Sequence, residues 1–373
     1  MTAPQTGPSR TTTAPAAPAP ASSAPAPASS APAPASSARL AITVHQVARP
    51  TGMPTPADFA YVEHPVPTAE PGTALVENIL LSVDPYMRES MEEGGWQLGA
   101  PLEGRSVGRV LHSRTPGLAP GDLVFHRAGW RTHAVLTADE VRVLPRVDGV
   151  PPRAWLSVLG GTGLTAYTGL TRAARLQPGE RVFVSAAAGG VGTAVGRFAR
   201  LMGASAVYGS AGSAAKVEHL VRNLGFDGAF DYHDGPFAEQ LARIAPEGID
   251  VGFENVGGSQ LEGLIANMRE HGRIAWCGSI AQYNHPDSPP AAPRNLYDLV
   301  HKAVRLEGFL VRHHRSLQGE LEEFLVPHLR SGAVVPDDTV VEGVRGTVDA
   351  FIGVLRGANT GKMIVQVGDP EAK

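Results

Sequence analysis

Cysteine is almost missing from this chain: its 373 residues contain one, Cys277. A single thiol excludes an intrachain disulfide framework, which suits a reducing cytosol. It also excludes a cysteine-built zinc lobe. The 13 histidines do not compensate, since none forms an HExxH pair. His313 and His314 are adjacent, which on a strand would point them to opposite faces. No metal site is expected. A basic surplus is missing too: 32 Lys and Arg stand against 36 Asp and Glu, for a formal net charge of −4. Without that surplus little neutralises phosphate backbones, and nucleic acid is excluded as a partner class. No apolar run approaches the length of a bilayer span. The expectation is a cytoplasmic protein with no membrane partner.

Proline is plentiful, at 32 residues, but much of it sits in one segment. Residues 17–23, 24–30 and 31–37 are three copies of APAPASS. Such a tract buries almost nothing and favours extended conformations. It lacks the charged start and apolar stretch of a secretory signal. Residues 1–38 are therefore expected to be a disordered Ala/Pro/Ser tail. A tether or interaction arm is the alternative to functionless disorder, or to sequence upstream of the true translation start.

Two textures follow. From residue 40 to about 153, short β-like runs (74–81, 107–113, 123–126, 132–136 and 141–144) alternate with turn pairs such as Pro120-Gly121 and Pro71-Gly72. This predicts an antiparallel, barrel-like β domain. From about 156 to 307 strands and helices alternate, the signature of a doubly wound parallel sheet. Strands are predicted at 181–185, 205–209, 228–231, 250–254, 272–277 and 304–309, with helices at 190–202, 214–224, 237–244 and 258–268. The C-terminal segment adds helices at 319–331 and 348–356 and a strand at 361–367. That last strand is expected to return to the β domain and make it discontinuous.

The most informative stretch is VFVSAAAGGVGTAVGRFARLMGA, residues 182–204. An apolar run breaks into Ala187-x-Gly189-x-x-Gly192 and then into an apolar-periodic helix. Small residues at these positions allow a tight turn and close backbone approach to a pyrophosphate, and the helix start offers N–H groups and a positive dipole end. A dinucleotide site with NAD preference would carry an acid about 20 residues further on, for the ribose 2′-OH. Here Gly209-Ser210-Ala211-Gly212-Ser213 leads to Lys216, and the first acid is Glu218. Small hydroxyl residues and a cation suit a 2′-phosphate, so NADPH is the expected cofactor.

Five further segments carry a resemblance: Leu81-Ser82-Val83-Asp84-Pro85-Tyr86-Met87-Arg88, Phe253-Glu254-Asn255-Val256-Gly257-Gly258, Cys277-Gly278-Ser279-Ile280-Ala281-Gln282-Tyr283-Asn284, Glu307-Gly308-Phe309-Leu310-Val311 and Asn359-Thr360-Gly361-Lys362. Together they resemble the zinc-free medium-chain dehydrogenase/reductases of the prostaglandin reductase and 2-alkenal reductase family, which includes bacterial curcumin reductases. The resemblance runs from about residue 41 to 367. It implies a Rossmann sheet, 156–309, inserted into a GroES-like antiparallel β-barrel domain, 39–155 plus 310–373. Two departures bear on substrate preference. Gly161 stands where the family carries methionine, which would widen the pocket near the nicotinamide, and Arg312-His313-His314-Arg315 is an unusually basic run.

The family's chemistry is reduction of a C=C bond conjugated to a carbonyl. Hydride reaches the β-carbon, and the enolate left behind needs a donor where negative charge develops. A tyrosine hydroxyl donates while staying neutral. The resemblance assigns Tyr86 and Tyr283 to the substrate end, as catalytic candidates, with the cofactor ribose hydroxyl sharing the donor role. Either could instead be a buried tyrosine with a satisfied hydroxyl, and Tyr283 could orient the nicotinamide. For the cofactor the resemblance and the fingerprint implicate Ala188, Gly189, Gly190, Val191 and Gly192 at the pyrophosphate. Ser213, Lys216 and Tyr232 are placed at the 2′-phosphate and adenosine, Phe309, Val311 and Asn359 over the nicotinamide, Asn255 at the strand C-terminal end where ligands gather, and Cys277, Ser279 and Ile280 among the further cofactor contacts. Arg88 either grips an acidic substrate or pairs with Glu92 at i+4. Glu254 either acts as a base or braces its loop. Small-molecule enals or enones are the expected substrates, and a homodimer the expected assembly. The rival readings are a quinone oxidoreductase of the same superfamily and a non-catalytic NADPH-binding protein.

Overall fold

Short β-branched runs bounded by turns build the first half of the chain. In the computed structural model, which describes residues 40–285 and 287–370 together with Ala16, β1 (Leu40–Gln46) and β2 (Phe59–Pro65) form an antiparallel hairpin. The APAPASS copies, and the tail expected there, lie outside the described residues. A larger sheet follows: β3 (Thr73–Ser82), β4 (Ser106–Ser113), β5 (Leu123–His126), β6 (His133–Thr137) and β7 (Arg142–Val143). The long β3 is its hub, pairing antiparallel with β4 along its length and with β6 through Thr73–Glu77. A one-turn helix, α1 (Met87–Ser90), leaves the end of β3.

After α2 (Gly161–Thr168) the nucleotide-type sheet begins. Its strands are β8 (Arg181–Val184), β9 (Ala206–Ala211), β10 (Gly228–Asp231), β11 (Ile249–Glu254), β12 (Met268–Trp276) and β13 (Arg305–Gly308). The helices between them are α3 (Gly190–Leu201), α4 (Ala214–Arg222), α5 (Phe237–Ile244), α6 (Gly258–Asn267) and α7 (Asp298–His301). All pairings are parallel and the order is β10-β9-β8-β11-β12-β13. That is the doubly wound arrangement, with its switch point between β8 and β11, where ligands gather at strand C-termini.

The C-terminal segment supplies α8 (Gln318–Arg330), β14 (Asp338–Glu342), α9 (Thr347–Leu355) and β15 (Lys362–Gln366). β15 pairs antiparallel with β3 at Leu80–Ser82, so the chain does return to the first sheet. Leu317, Leu321, Leu325 and Leu329 recur at the i+4 spacing and bury one helical face. They join a core that runs across both sheets, from Ile79, Leu80 and Val107 to Val182, Val184 and Phe253.

Several elements differ from expectation. The hairpin β1–β2, the helix α2 and the strand β14 were not foreseen. β14 and β15 are parallel within an otherwise antiparallel sheet, because α9 connects them as a crossover. His313 and His314 lie in a 3-10 segment (Val311–Leu317), not on a strand, so the opposite-faces argument does not apply to them.

Candidate active site

The turn between β8 and α3 is built for close backbone approach. Ala186 adopts φ of 47° and the Ala187 N–H donates to Ser210 O at 2.8 Å. A Cβ on Gly192 would fall 2.6 Å from Ala186 O and from Ala187 Cα, so only glycine lets the helix start sit on its own turn. Thr193 N–H donates back to Gly189 O and the Gly190 N–H is engaged by the parallel bridge of Gly189 with Gly361, whereas Val191 and Gly192 N–H find no acceptor among the described residues. Those first-turn N–H groups and the dipole behind them suit a phosphate anion. The turn is clipped from the other side: Gly361 N–H donates to Ala188 O at 2.8 Å, and Asn359 Nδ2 donates to Gly361 O at 2.6 Å. Asn359 therefore shapes the turn that covers the cradle.

At the end of β9 the Ser213 hydroxyl caps α4, accepting from Lys216 N–H at 3.3 Å. The Lys216 ammonium, half-buried, donates to Gly357 O at 2.6 Å, just past α9. Tyr232 is 40% exposed and packs on the His233 ring. Its hydroxyl lies close to Gly212, where an added Cβ would come within 3.2 Å of it. Ser213, Lys216 and Tyr232 thus share the β9–α4 and β10 loop ends, with no acid among the three.

At the switch point Asn255 is a latch. Its N–H donates to Ser185 Oγ at 2.8 Å and its Nδ2 to Ser185 O at 2.7 Å, while its Oδ1 accepts from the Cys277 thiol at 2.9 Å. Ile280 N–H donates to Asn255 O. Burial, and then Glu254, raise the Cys277 thiol well above its usual range, so it stays protonated and is no nucleophile. Glu254 itself is a brace: its Oε1 accepts from the N–H groups of Val256 and Gly257, each at 2.7 Å, and burial pushes its pKa up to about 7. The Tyr283 hydroxyl accepts from Ser279 N–H at 3.2 Å, which leaves its own hydrogen to donate elsewhere. Burial pushes its pKa up to about 12. Tyr283 lines a cavity of about 330 Å³ with Glu89, Glu92, Gln282 and Pro289. Phe309 stacks edge-on against Phe253, its N–H donating to Trp276 O, and Val311 begins the 3-10 segment beyond it.

Tyr86 sits at the start of α1, and Glu89, one turn later, reaches the Tyr283 cavity. Burial raises the Tyr86 pKa, with Arg105 opposing. Among the described residues its hydroxyl has no hydrogen-bond partner. The Arg105 guanidinium lies over the Tyr86 ring, 5.3 Å from its centroid. It also fills the space beside Gly161, where an added Cβ would stand 2.6 Å from its Cζ. The gap expected from glycine at 161 is therefore occupied by a cation. Arg88 is fully buried, pairs with Glu92 and donates to Gly52 O at 3.0 Å, so it braces α1 and is spent.

Beneath Tyr86 lies an ion cluster that sequence reasoning missed. Asp84 is 3.2 Å from the Lys362 ammonium and 3.4 Å from Arg105, and it accepts from Ser82 Oγ at 2.6 Å. Burial alone would raise the Asp84 carboxyl; Lys362 first and Arg105 second outweigh it and hold it below the usual carboxylate range. Lys362 also donates to Val83 O and Met363 O. Both Asp84 and Lys362 stand in the quoted motifs, but nothing in those motifs says that the two meet.

Residues 43–144 match the model of the N-terminal domain of oxidoreductases, and 190–327 that of the zinc-binding dehydrogenases. The chain is 39% identical over 300 residues to the NADP(+)-dependent 2-alkenal reductase of Nicotiana tabacum, covering 79% of this chain and 87% of that one. It is 37% identical over 322 residues to prostaglandin reductase 1 of Rattus norvegicus, covering 84% and 95%. The chain belongs to the zinc-free medium-chain dehydrogenase/reductases of the 2-alkenal and prostaglandin reductase family. It is an oxidoreductase. CurA of Vibrio vulnificus, solved in complex with NADPH, superimposes with a TM-score of 0.82 at 32% identity, over 88% of this chain and all of that one. The zinc in the second model's description has no cysteine set here to bind it, and no group of three or more His, Cys, Asp or Glu is placed to hold a metal among the described residues.

Proposed function

We propose that this enzyme reduces the C=C bond of α,β-unsaturated aldehydes and ketones at the expense of NADPH. The observation that carries the reading is Tyr283: its hydroxyl is fixed by Ser279 N–H and protonated through neutral pH, and the residue lines a cavity of about 330 Å³. The cradle fits the cofactor. Unpaired N–H groups at Val191 and Gly192, with Ala188, Gly189 and Gly190 in the turn, would hold the pyrophosphate. Lys216, with Ser213 and Tyr232 beside it, would hold the 2′-phosphate, its ammonium leaving Gly357 O for a stronger, charged acceptor. Asn255, Cys277, Ser279, Ile280, Phe309, Val311 and Asn359 would shape the nicotinamide end.

When bound, NADPH supplies the hydride that reaches the β-carbon of the substrate. The chain supplies position and charge stabilisation. Tyr283 donates to the substrate carbonyl oxygen as enolate charge develops, and its raised pKa keeps it a donor, not an anion. Tyr86 stands at the start of α1, whose Glu89 lines the same cavity, and would be the second wall of the substrate site. The bonded set around Asn255 and Glu254 holds the Tyr283 loop in place, so this donor is pre-positioned. In this reading residues 156–309 form the nucleotide-binding part and 39–155 with 310–373 the catalytic part of a cytoplasmic homodimer.

The test is NADPH oxidation against a 2-alkenal, a linear enone, a quinone and no acceptor. Turnover of the first two is expected. Turnover of the quinone alone would assign the chain to the quinone reductases, and none at all to a binding role.

A further inference from the structure

Arg105 is a cation with more charge than its surroundings use. Asp84 is already met by Lys362 at 3.2 Å, so it faces two cations. Arg105 contributes one long hydrogen bond to it, 3.4 Å from Nη1, and has no other protein acceptor among the described residues. The nearest other charges, Glu103 and Arg127, pair with each other. Asp338, which also feels Lys362, lies 3.3 Å from Arg153. The guanidinium further stands at the amino end of α2, whose partial positive charge repels it. It reaches solvent through 17% of its side chain. Its remaining N–H groups have no protein acceptor among the described residues, and it lies over a candidate catalytic tyrosine; an arginine fork in that state suits a carboxylate.

We propose that Arg105 binds a carboxylate on the substrate, making unsaturated ketones or aldehydes that carry an acid group the preferred class. The proposal rests on the reductase reading above and refines its substrate. Polarity fixes the orientation. Glu89 stands on the Tyr283 side of α1 and Arg105 on the Tyr86 side, so a full carboxylate charge is better placed at Arg105, while the neutral carbonyl meets the Tyr283 hydrogen bond. The carbonyl therefore turns to Tyr283 and the carboxylate to Arg105. Gly161 is part of the device, because even a methyl group there would displace the guanidinium.

The experiment compares linear trans-enones ending in a carboxylate, one to three methylenes from the double bond, with their methyl esters. kcat/KM is measured for the wild type, Arg105→Met and Gly161→Ala. The acid is expected to be preferred over its ester by about tenfold or more for at least one chain length, the scale of a charge-assisted hydrogen bond. Both variants should lower the acid-to-ester ratio by a similar factor. Gly161→Ala keeps the Arg105 charge available to Asp84, so it tests placement without emptying the ion cluster. Reduction of the esters with no acid preference at any length overturns the proposal while leaving the reductase reading intact. An equal loss on acid and ester in Arg105→Met also overturns it, since that would place Arg105 in general stabilisation. Failure of the wild type to reduce every ester and acid would instead refute the reductase reading.

Discussion

Replacing Lys362 with methionine removes the cation that Asp84 depends on most. Asp84 and Lys362 are 4% and 3% exposed, so water cannot substitute for the lost partner. Breaking one side of a buried pair costs about 3–5 kcal/mol. Arg105 remains 3.4 Å from the carboxylate and is expected to close in, which places the loss near the lower end, about 3 kcal/mol. For a folded unit of this size that lowers Tm by about 4 °C. Removing the charge as well, in Lys362→Met/Asp84→Asn, should recover part of the loss, with a coupling of about 1–3 kcal/mol in the double-mutant cycle. Thermal and urea unfolding at pH 7 read all four proteins. The sign with pH is set by the lowered Asp84 pKa: its contribution is present above the unfolded carboxylate range and disappears as pH falls through the folded value. The wild-type advantage over the double variant should therefore shrink in acid. Strict additivity of the two substitutions, or a loss below about 1 kcal/mol, would refute the reasoning. A functional consequence follows as well. Arg105 drawn down onto Asp84 should leave its place above Tyr86, and the acid-to-ester ratio should fall in Lys362→Met.

The other expectations are simpler. Lys216→Ala should weaken NADPH binding about tenfold or more while leaving NADH binding nearly unchanged, as read by fluorescence titration; equal losses would reject its role at the 2′-phosphate. Tyr283→Phe should lower kcat about a hundredfold with little change in KM, and full activity would remove Tyr283 as the donor. Glu254 carries a raised pKa of about 7, so the protein gives up stability as pH rises from the ordinary carboxylate range through 7. Glu254→Gln keeps an acceptor for Val256 and Gly257 N–H and should flatten that decline; an unchanged pH profile of Tm would show that the carboxyl ionises without cost.

Much of the fold was legible because its signals are local. β8 and α3 announce themselves through an apolar run, small residues and a periodic helix, and α5 falls at its predicted bounds. Two of the elements that escaped notice, α2 and β14, lack such signals. α2 is the glycine- and threonine-rich GTGLTAYT, which reads as loop and is helical because it packs in the shared core. β14 is half-exposed and gains its pairing only once α9 has brought β15 beside it. The same distinction holds at the site. The cradle residues lie in one stretch, whereas Asp84, Arg105, Gly161 and Lys362 come from four distant segments and meet only in the folded chain. Gly161 was visible as a departure from the family, but its meaning depends on what fills the space. Sequence read it as a widened pocket, and the structure puts a guanidinium there.

The central claim is tested most directly by following the label from NADPH deuterated at C4 of the nicotinamide into the product of a linear enone. The account predicts a saturated ketone with one deuterium on the former β-carbon, seen by NMR, and a solvent-derived proton on the α-carbon. Deuterium on the carbonyl carbon, giving an allylic alcohol, or NADPH oxidation with the enone left intact, would contradict it.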